Sequence, residues 1–418
     1  MACLRAADIL LPADEIDMKK WAVTACDQFT SQPEYWQQVS EYVKDSDSTL
    51  HMIYPEVYLG TDGEEGYKKR IRNIQTYMDE CLENGVLRER VHQGYVLTAR
   101  ETSSGVRVGL LAALDLEAYN YRKGTDAKVR ATEATVQERI PARVGIRRGA
   151  AVELPHVMML LDDPKCSLLE PLYARRKEYE KLYDTELMLD GGRVSGYALE
   201  GAAAEEVSCA LKRLETESGD TFLTVGDGNH SLAAAKSFWE SLKEELSDKE
   251  QIDHPARYAL VEIVNIHNPA LVFHPIHRVC FGMDLTSLKP DFEKYLDRRQ
   301  IEWQETTKDA DVTFVQQEES VGIKLLSKGD HLAVEFLQDF LDEYPESCSS
   351  LEIDYIHDPK AAAQMAKEEN TCAILLGPVN KGMLFAAVDA GGVLPRKTFS
   401  IGTDLEKRYY IECRKIKR

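Results

Sequence analysis

The chain has 418 residues, 44% of them hydrophobic, enough for a real core and for two or three domains or one two-lobed unit. Its 71 acidic and 51 basic residues leave a net charge of −20, a field that repels nucleic acid and anionic lipid but still permits one basic pocket for a small anion. Nine scattered cysteines with no CxxC pair indicate free thiols and a cytoplasmic protein. Met1-Ala2-Cys3-Leu4-Arg5 lacks the pattern of a signal peptide, and no run of 18 apolar residues predicts a membrane span.

In chain order, Lys20 to Phe29 reads as a short strand ending in a polar turn at Asp27. Pro33 opens a helix to about Val43, with Ser31 as its expected cap. Tyr67, Ile71, Ile74, Tyr77 and Met78 mark a helix over 64–83, closed by Asn84-Gly85. Residues 94–100 and 106–115 form two strands around the turn Thr102-Ser103-Ser104-Gly105. The most charge-dense segment follows, from Lys128-Val129-Arg130 through Glu133 and Val136 to Arg139, Arg143 and Arg147-Arg148. On a helix, Arg130 and Glu133 lie one turn apart. A solvated charged helix and an anion site both fit. The local excess of Arg in an acidic chain favours the anion, because the guanidinium fork donates two bonds to phosphate.

Residues 154–161 read as a buried strand ending in Asp162-Asp163, a pair suited to capping a turn or to holding Mg²⁺. Residues 168–182 are expected to be helical, 186–199 to form a hairpin about Asp190-Gly191-Gly192, and 202–217 to form a helix. Thr221 to Lys236 is the focal stretch. Phe222 to Val225 predicts a buried strand, and Leu232 to Leu246 a helix. Between them stands Gly226-Asp227-Gly228-Asn229-His230-Ser231. Two glycines allow a tight turn, and the start of a helix offers amide donors and a positive dipole end to an anion. Asn229 or Ser231 serves as the cap in the plain structural alternative. Asp227 and His230 add an acid/base pair at the same point.

Beyond it, 257–267 is a core strand, and a second strand leads to His277-Arg278. Residues 312–315, 321–326, 333–337, 372–376 and 383–388 read as strands, with 359–366 helical. The expected division is a main domain over 1–284, a small α+β lobe over 285–345, and a segment, 346–418, that returns to the main domain. No Walker or GxGxxG motif occurs.

The loop Gly226 to Ala235 resembles the Ala-Asp-Gly-His-His-Arg-(aromatic)-x-x-Ala signature of the family called domain of unknown function 1015. Val272 to Arg278 resembles its Pro-Thr-His-Arg segment. Gly392 to Phe399 resembles its Met-Pro-x-Lys-Ser-Thr-x-Phe segment. Asn229 stands for the family's first His and Ser231 for its Arg; Asp27 best matches the Asp of an early Pro-Tyr-Asp motif. More distantly the loop is similar to that of the ParB/sulfiredoxin fold, which includes a free-serine kinase. The resemblance implies an α/β (mixed α+β) protein with a ParB/sulfiredoxin-like core and an added lobe. It implies a phosphotransferase for a small hydroxylated metabolite such as free L-serine, with ATP, ADP or pyrophosphate as donor and Mg²⁺ as a possible cofactor. In that reading Asp227, His230 and Glu133 are catalytic. Gly226, Gly228, Asn229, Ser231, Arg130, Arg143, Arg278 and Lys397 bind phosphate, and His277 and Asp27 face the substrate. A non-catalytic nucleotide- or phosphometabolite-binding regulator is the alternative. The expected partner is a small phosphate-bearing ligand, with no nucleic acid or membrane; metal ligands and oligomeric state stay open.

Overall fold

The computed structural model describes residues 2–135, 140–344 and 351–417; Val136 and Arg139 lie outside them. The chain forms two compact units, Met1–Leu271 with Gly402–Arg418, and Val272–Ile401. The second is wider than the lobe expected over 285–345.

The first unit is built on an 11-stranded mixed sheet. Its strands are β1 (Leu4–Arg5), β2 (Ala7–Pro12), β3 (Leu87–Thr102), β4 (Gly105–Asp115), β5 (Tyr119–Asn120), β6 (Val129–Arg130), β7 (Met158–Leu161), β8 (Lys181–Glu186), β9 (Arg193–Leu199), β10 (Leu223–Asp227) and β11 (Tyr258–Asn265). The order is β8-β9-β3-β4-β11-β7-β10-β6-β5, with β1 on β4 and β2 on β3. The long apolar run of β4 follows from coverage on both faces. Leu110, Ala112 and Leu114 pack in one core with the helices α4 (Ala202–Glu217) and α5 (Asn229–Lys243). Leu111 and Ala113 point the other way, to a core shared with Trp36 and Val39 of α1 (Pro33–Val43). A third core lies between α2 (Gly63–Glu83), through Ile74 and Met78, and Trp21, Val152 and Cys413.

Several expectations change. The helix α1 begins after Gln32 with no side-chain cap, so Ser31 does not cap it. Residues 128–133 are not helical: Val129–Arg130 joins the sheet parallel to β10, and Thr132 Oγ1 bonds Thr224 Oγ1 at 2.8 Å. The β-branched residues are recruited by an available strand edge; the helix α3 is described over Ile140–Gly149. Helix over 168–182 shrinks to Leu169–Ala174, and β8 follows, because Tyr183 and Thr185 alternate inward with exposed Lys181, Asp184 and Glu186. Asp163 accepts the Ser167 and Leu168 amides at 2.6 and 3.1 Å, the capping alternative, while Asp162 receives His267 Nε2 at 2.6 Å.

The second unit carries a six-stranded sheet. Its strands are β12 (His277–Phe281), β13 (Trp303–Thr306), β14 (Val312–Gln316), β15 (Glu319–Leu325), β16 (Glu352–Ile356) and β17 (Thr371–Leu376), in the order β13-β15-β14-β17-β12-β16. Residues 333–337 belong to a helix, Ala333–Glu343, not a strand: Val334, Leu337 and Leu341 are buried at helical spacing, and Glu335 reaches back to the Leu332 amide at 2.6 Å. Residues 383–388 are likewise helical from Leu384, with Leu384, Ala387 and Val388 buried on one face. The eight described cysteines are unpaired, and no described helix is long and apolar enough to cross a membrane.

Gly109 shows how tightly the polar layer of the large sheet is built. A Cβ there would collide with Glu262 Oε1 and lie 2.6 Å from Thr98 Oγ1. Gly109→Ala is expected to displace the buried Glu262 carboxylate and cost about 3 kcal/mol, the scale for breaking a buried ion pair. Urea unfolding measures it; a loss below about 0.5 kcal/mol would show that the layer tolerates the methyl group.

Candidate functional site

The focal loop stands at the end of β10, which pairs with β7 on one side and β6 on the other. The register slips between Val225 and Asp227, so Gly226 is a bulge residue. Val225 packs in the core under α4 and α5. The slip takes Asp227 out of that alternation, and its carboxylate meets Lys407 instead: Nζ lies 3.2 Å from Oδ2, and the Gly228 amide donates to Oδ1 at 2.9 Å. Gly228 is left-handed at φ +79°, and a Cβ there would lie 2.9 Å from Val157 Cα and 3.2 Å from His156 Cδ2. Both the turn and the close approach require glycine.

Helix α5 begins directly after Gly228, with no side chain capping it. Gly228, not Asn229 or Ser231, is therefore the cap residue. The Ser231 and Leu232 amides both donate to the Gly228 carbonyl, at 3.0 and 3.1 Å, so they are used within the helix. The Asn229 side chain donates to the Glu133 carbonyl at 2.7 Å and ties the 132–135 loop to the helix. Arg130 is buried and its Nε donates to the Ala127 carbonyl at 2.8 Å. Arg130 and Glu133 thus reach the loop through strand pairing and a backbone contact, not along one helix face.

His156 organises the floor. Its Nε2 lies 3.0 Å from Ser231 Oγ and 3.5 Å from Asp27 Oδ2, and its Nδ1 lies 2.7 Å from Tyr410 Oη. Tyr410 Oη also accepts the Cys26 amide at 3.2 Å. With Tyr410 on Nδ1, the other ring nitrogen is aimed at Asp27 and Ser231. Burial raises the Asp27 carboxyl, but His156 and Arg143 outweigh it and hold the group well below the usual carboxylate range. Burial, with Asp27 next, pushes the Cys26 thiol up to about 11, so it stays protonated. Arg143 pairs with Glu56, and both are largely buried. Arg143, His156 and Ser231 border one cavity of about 150 Å³ whose remaining wall is mostly apolar, including Ile53, Ala234 and Leu260.

Asp27, Arg143, Asp227 and Ser231 are therefore brought to one region of the first unit. His230, at the first turn of α5, is half-buried beside them. Lys407, His156 and Tyr410 were missed. His156 sits in an apolar run that reads as strand, and the available signal for the others was Lys407-Arg408, two adjacent bases in an acidic chain before Tyr409-Tyr410. His277, Arg278 and Lys397 belong to the second unit. Arg278 is fully buried, bonding Gln338 Oε1 through Nη2 at 3.1 Å and stacking over Tyr355. Lys397 is exposed with φ +59°. His277 is buried, and its Nδ1 accepts the Leu376 amide at 3.1 Å. For a metal, the one group of three His, Cys or carboxylate side chains that converges among the described residues is Asp8, Glu89 and His92, and none of these belongs to the loop.

The fold and site define a two-unit mixed α/β protein with a glycine-led strand–loop–helix at the end of a central strand. The chain belongs to the family described as protein of unknown function DUF1015, whose profile matches residues 10–344. No curated protein matches it. Among solved structures it is similar to a mutant free serine kinase in complex with AMP (13% identity, 71% of this chain and 92% of that chain, TM-score 0.38). It is similar also to a conserved hypothetical protein from Pyrococcus furiosus (13%, 70% and 97%, TM-score 0.34). A third is SbnI with a C-terminal truncation from Staphylococcus aureus (11%, 70% and 82%, TM-score 0.37).

Burial, with Arg278 next, lowers the His277 pKa to about 4. An unfolded His titrates near 6.5. Its contribution is thus complete above pH 6.5 or so and is lost as pH falls through about 4, because the unfolded chain takes up the proton first. His277→Gln retains an acceptor for the Leu376 amide and should flatten the loss of stability between these pH values. Urea midpoints at pH 7, 5.5 and 4.5 test this; parallel curves for both proteins would exclude His277 as the source.

Proposed function

We propose that this chain is a phosphotransferase acting on a small hydroxylated metabolite, with the loop Gly226–Ser231 as its phosphate-handling element. The observation that carries the reading is the pairing of Asp227 with Lys407 beside the head of α5. Phosphoryl transfer needs an electropositive cradle and a group that takes the acceptor's proton. The start of α5 supplies the positive end of a dipole. Asp227 supplies the base. Once Asp227 is protonated its hold on Lys407 weakens, and that ammonium becomes available to the phosphoryl oxygens. Ser231 and His156, oriented by Asp27 and Tyr410, fix the floor on which the acceptor rests. His230 and Arg143 add cationic donors, with Arg130 and Glu133 behind the loop. His277, Arg278 and Lys397 lie in the second unit and are given no role in this step.

Free L-serine is the first acceptor to test, with ATP, ADP and pyrophosphate as donors. Mg²⁺ would neutralise donor phosphates, with Asp227 as the nearest carboxylate of the loop. A cytoplasmic setting and the ParB/sulfiredoxin-like description of the core belong to the same reading. The non-catalytic alternative has one specific observation in its favour: both Asp227 oxygens already have partners in the protein.

Phosphate transfer to hydroxy amino acids, followed by ³¹P resonance, separates the two. Asp227→Asn should reduce turnover by roughly 10²–10⁴-fold, the scale of a general base, and leave anion affinity unchanged or improved. His230→Ala should weaken anion binding by roughly 1.5–3 kcal/mol, the scale of a charge-assisted hydrogen bond. Titration calorimetry with phosphate, pyrophosphate and nucleotides reads the affinities. Tight binding without turnover for any donor supports the regulator; undiminished turnover in Asp227→Asn removes Asp227 as the base.

A further inference from the structure

On the face of the large sheet crossed by residues 402–412, Arg100 of β3 and Arg107 of β4 stand directly opposite one another in register. Like charges in that position repel. Both are more than nine-tenths buried, and among the described residues neither makes an ion pair with a carboxylate. Arg100 Nη2 donates to the Leu405 carbonyl and Arg107 Nη1 to the Glu406 carbonyl, each at 2.9 Å. Arg100 Nε and Nη1 and Arg107 Nε are buried without any hydrogen-bond acceptor. Leaving such donors unmet is costly, more so for charged groups.

The two guanidinium groups border a small cavity of about 20 Å³, shared with Arg408, Glu262, Tyr183 and Tyr409. Its acceptors are already committed. Glu262 takes Thr98 Oγ1 at 2.5 Å and Arg408 Nη1 at 2.7 Å. Tyr183 donates to Glu412, and Tyr409 donates to the Met188 carbonyl at 3.3 Å. Arg408 forms ion pairs with Glu262 and Glu412, whereas Arg100 and Arg107 feel Glu262 and Glu406 only at longer range and form no ion pair among the described residues. A space of this size holds one body the size of a water molecule.

We propose that this cavity is a binding site for one small monovalent inorganic anion of halide size, held between the Arg100 and Arg107 guanidinium groups. Such an ion accepts Arg107 Nε–H and one of the two unmet Arg100 donors, which lie on different edges of its guanidinium, and offsets the cross-strand repulsion. A polyatomic phosphate does not fit the volume, so the site is separate from the proposed phosphate loop. Burial, with Arg107 next, pushes Arg100 down to about 10 despite the opposing influence of Tyr409, Glu262 and Glu406.

The test uses the full chain. Thermal unfolding is followed in chloride against gluconate at constant ionic strength, and crystals soaked in bromide are examined for anomalous scattering. A halide-binding site raises the melting temperature by roughly 2–4 °C per tenfold chloride above the dissociation constant, as binding to the folded state alone requires. Arg107→Gln should abolish the chloride dependence, and Arg100→Lys should weaken it. The bromide peak should lie between the two guanidinium groups of the unmodified protein, a result that stands even if a variant does not fold. Melting that is identical in chloride and gluconate, together with water and no bromide in the cavity, overturns the proposal.

Discussion

Arg408 reaches the polar middle of the large sheet from a segment that returns after the whole second unit. Its Nη1 meets Glu262 at 2.7 Å, its Nη2 meets Glu412 at 2.6 Å, and its Nε meets the Pro155 carbonyl at 3.0 Å. All three side chains are buried. A buried ion triad adds little net stability over a well-packed apolar core, but removing one member strands the others at high cost. The neighbours of Arg408 inherit its placement. Lys407 is set against Asp227, and Tyr410 against His156. The same segment is pinned further by Trp21 Nε1 on the Ile411 carbonyl and by Arg414 on Glu153. One cation thus aligns the strap that completes the candidate site.

The alternation of short strands and helices, and the strand–loop–helix at 221–243, were legible because both signals are local. Phe222 to Val225 is an apolar run, and the two glycines mark the turn. The sequence also names Asp27, Arg143, Asp227 and Ser231, though not that they surround one histidine. His156 carried no local sign, since its function depends on Ser231, Asp27 and Tyr410, all distant in sequence. Misread segments share one cause. At 129–130 and 181–182 helix is the expectation, while a waiting sheet edge decides for strand. At 333–343 and 384–391 short apolar stretches suggest strand, and packing at helical spacing decides otherwise. Tertiary context overrides weak propensity in each case.

The large sheet separates two environments along single strands. One face of β10 and β11 is hydrocarbon under α4 and α5. The other carries Glu262 and, through the slip at Gly226, Asp227. A bulge of one residue is what moves a carboxylate from the parity of the core to that of the polar layer. Low dielectric around this layer strengthens each paired charge and penalises each unpaired one.

The division of the chain gives synthesis a direction. Residues 272–401 emerge from the ribosome before Gly402–Arg418, although only the latter belong to the first unit. Until they appear, Glu262 has no guanidinium, Asp227 no ammonium and His156 no phenol. Completion of the larger unit's polar layer therefore follows synthesis of the residues of the smaller one.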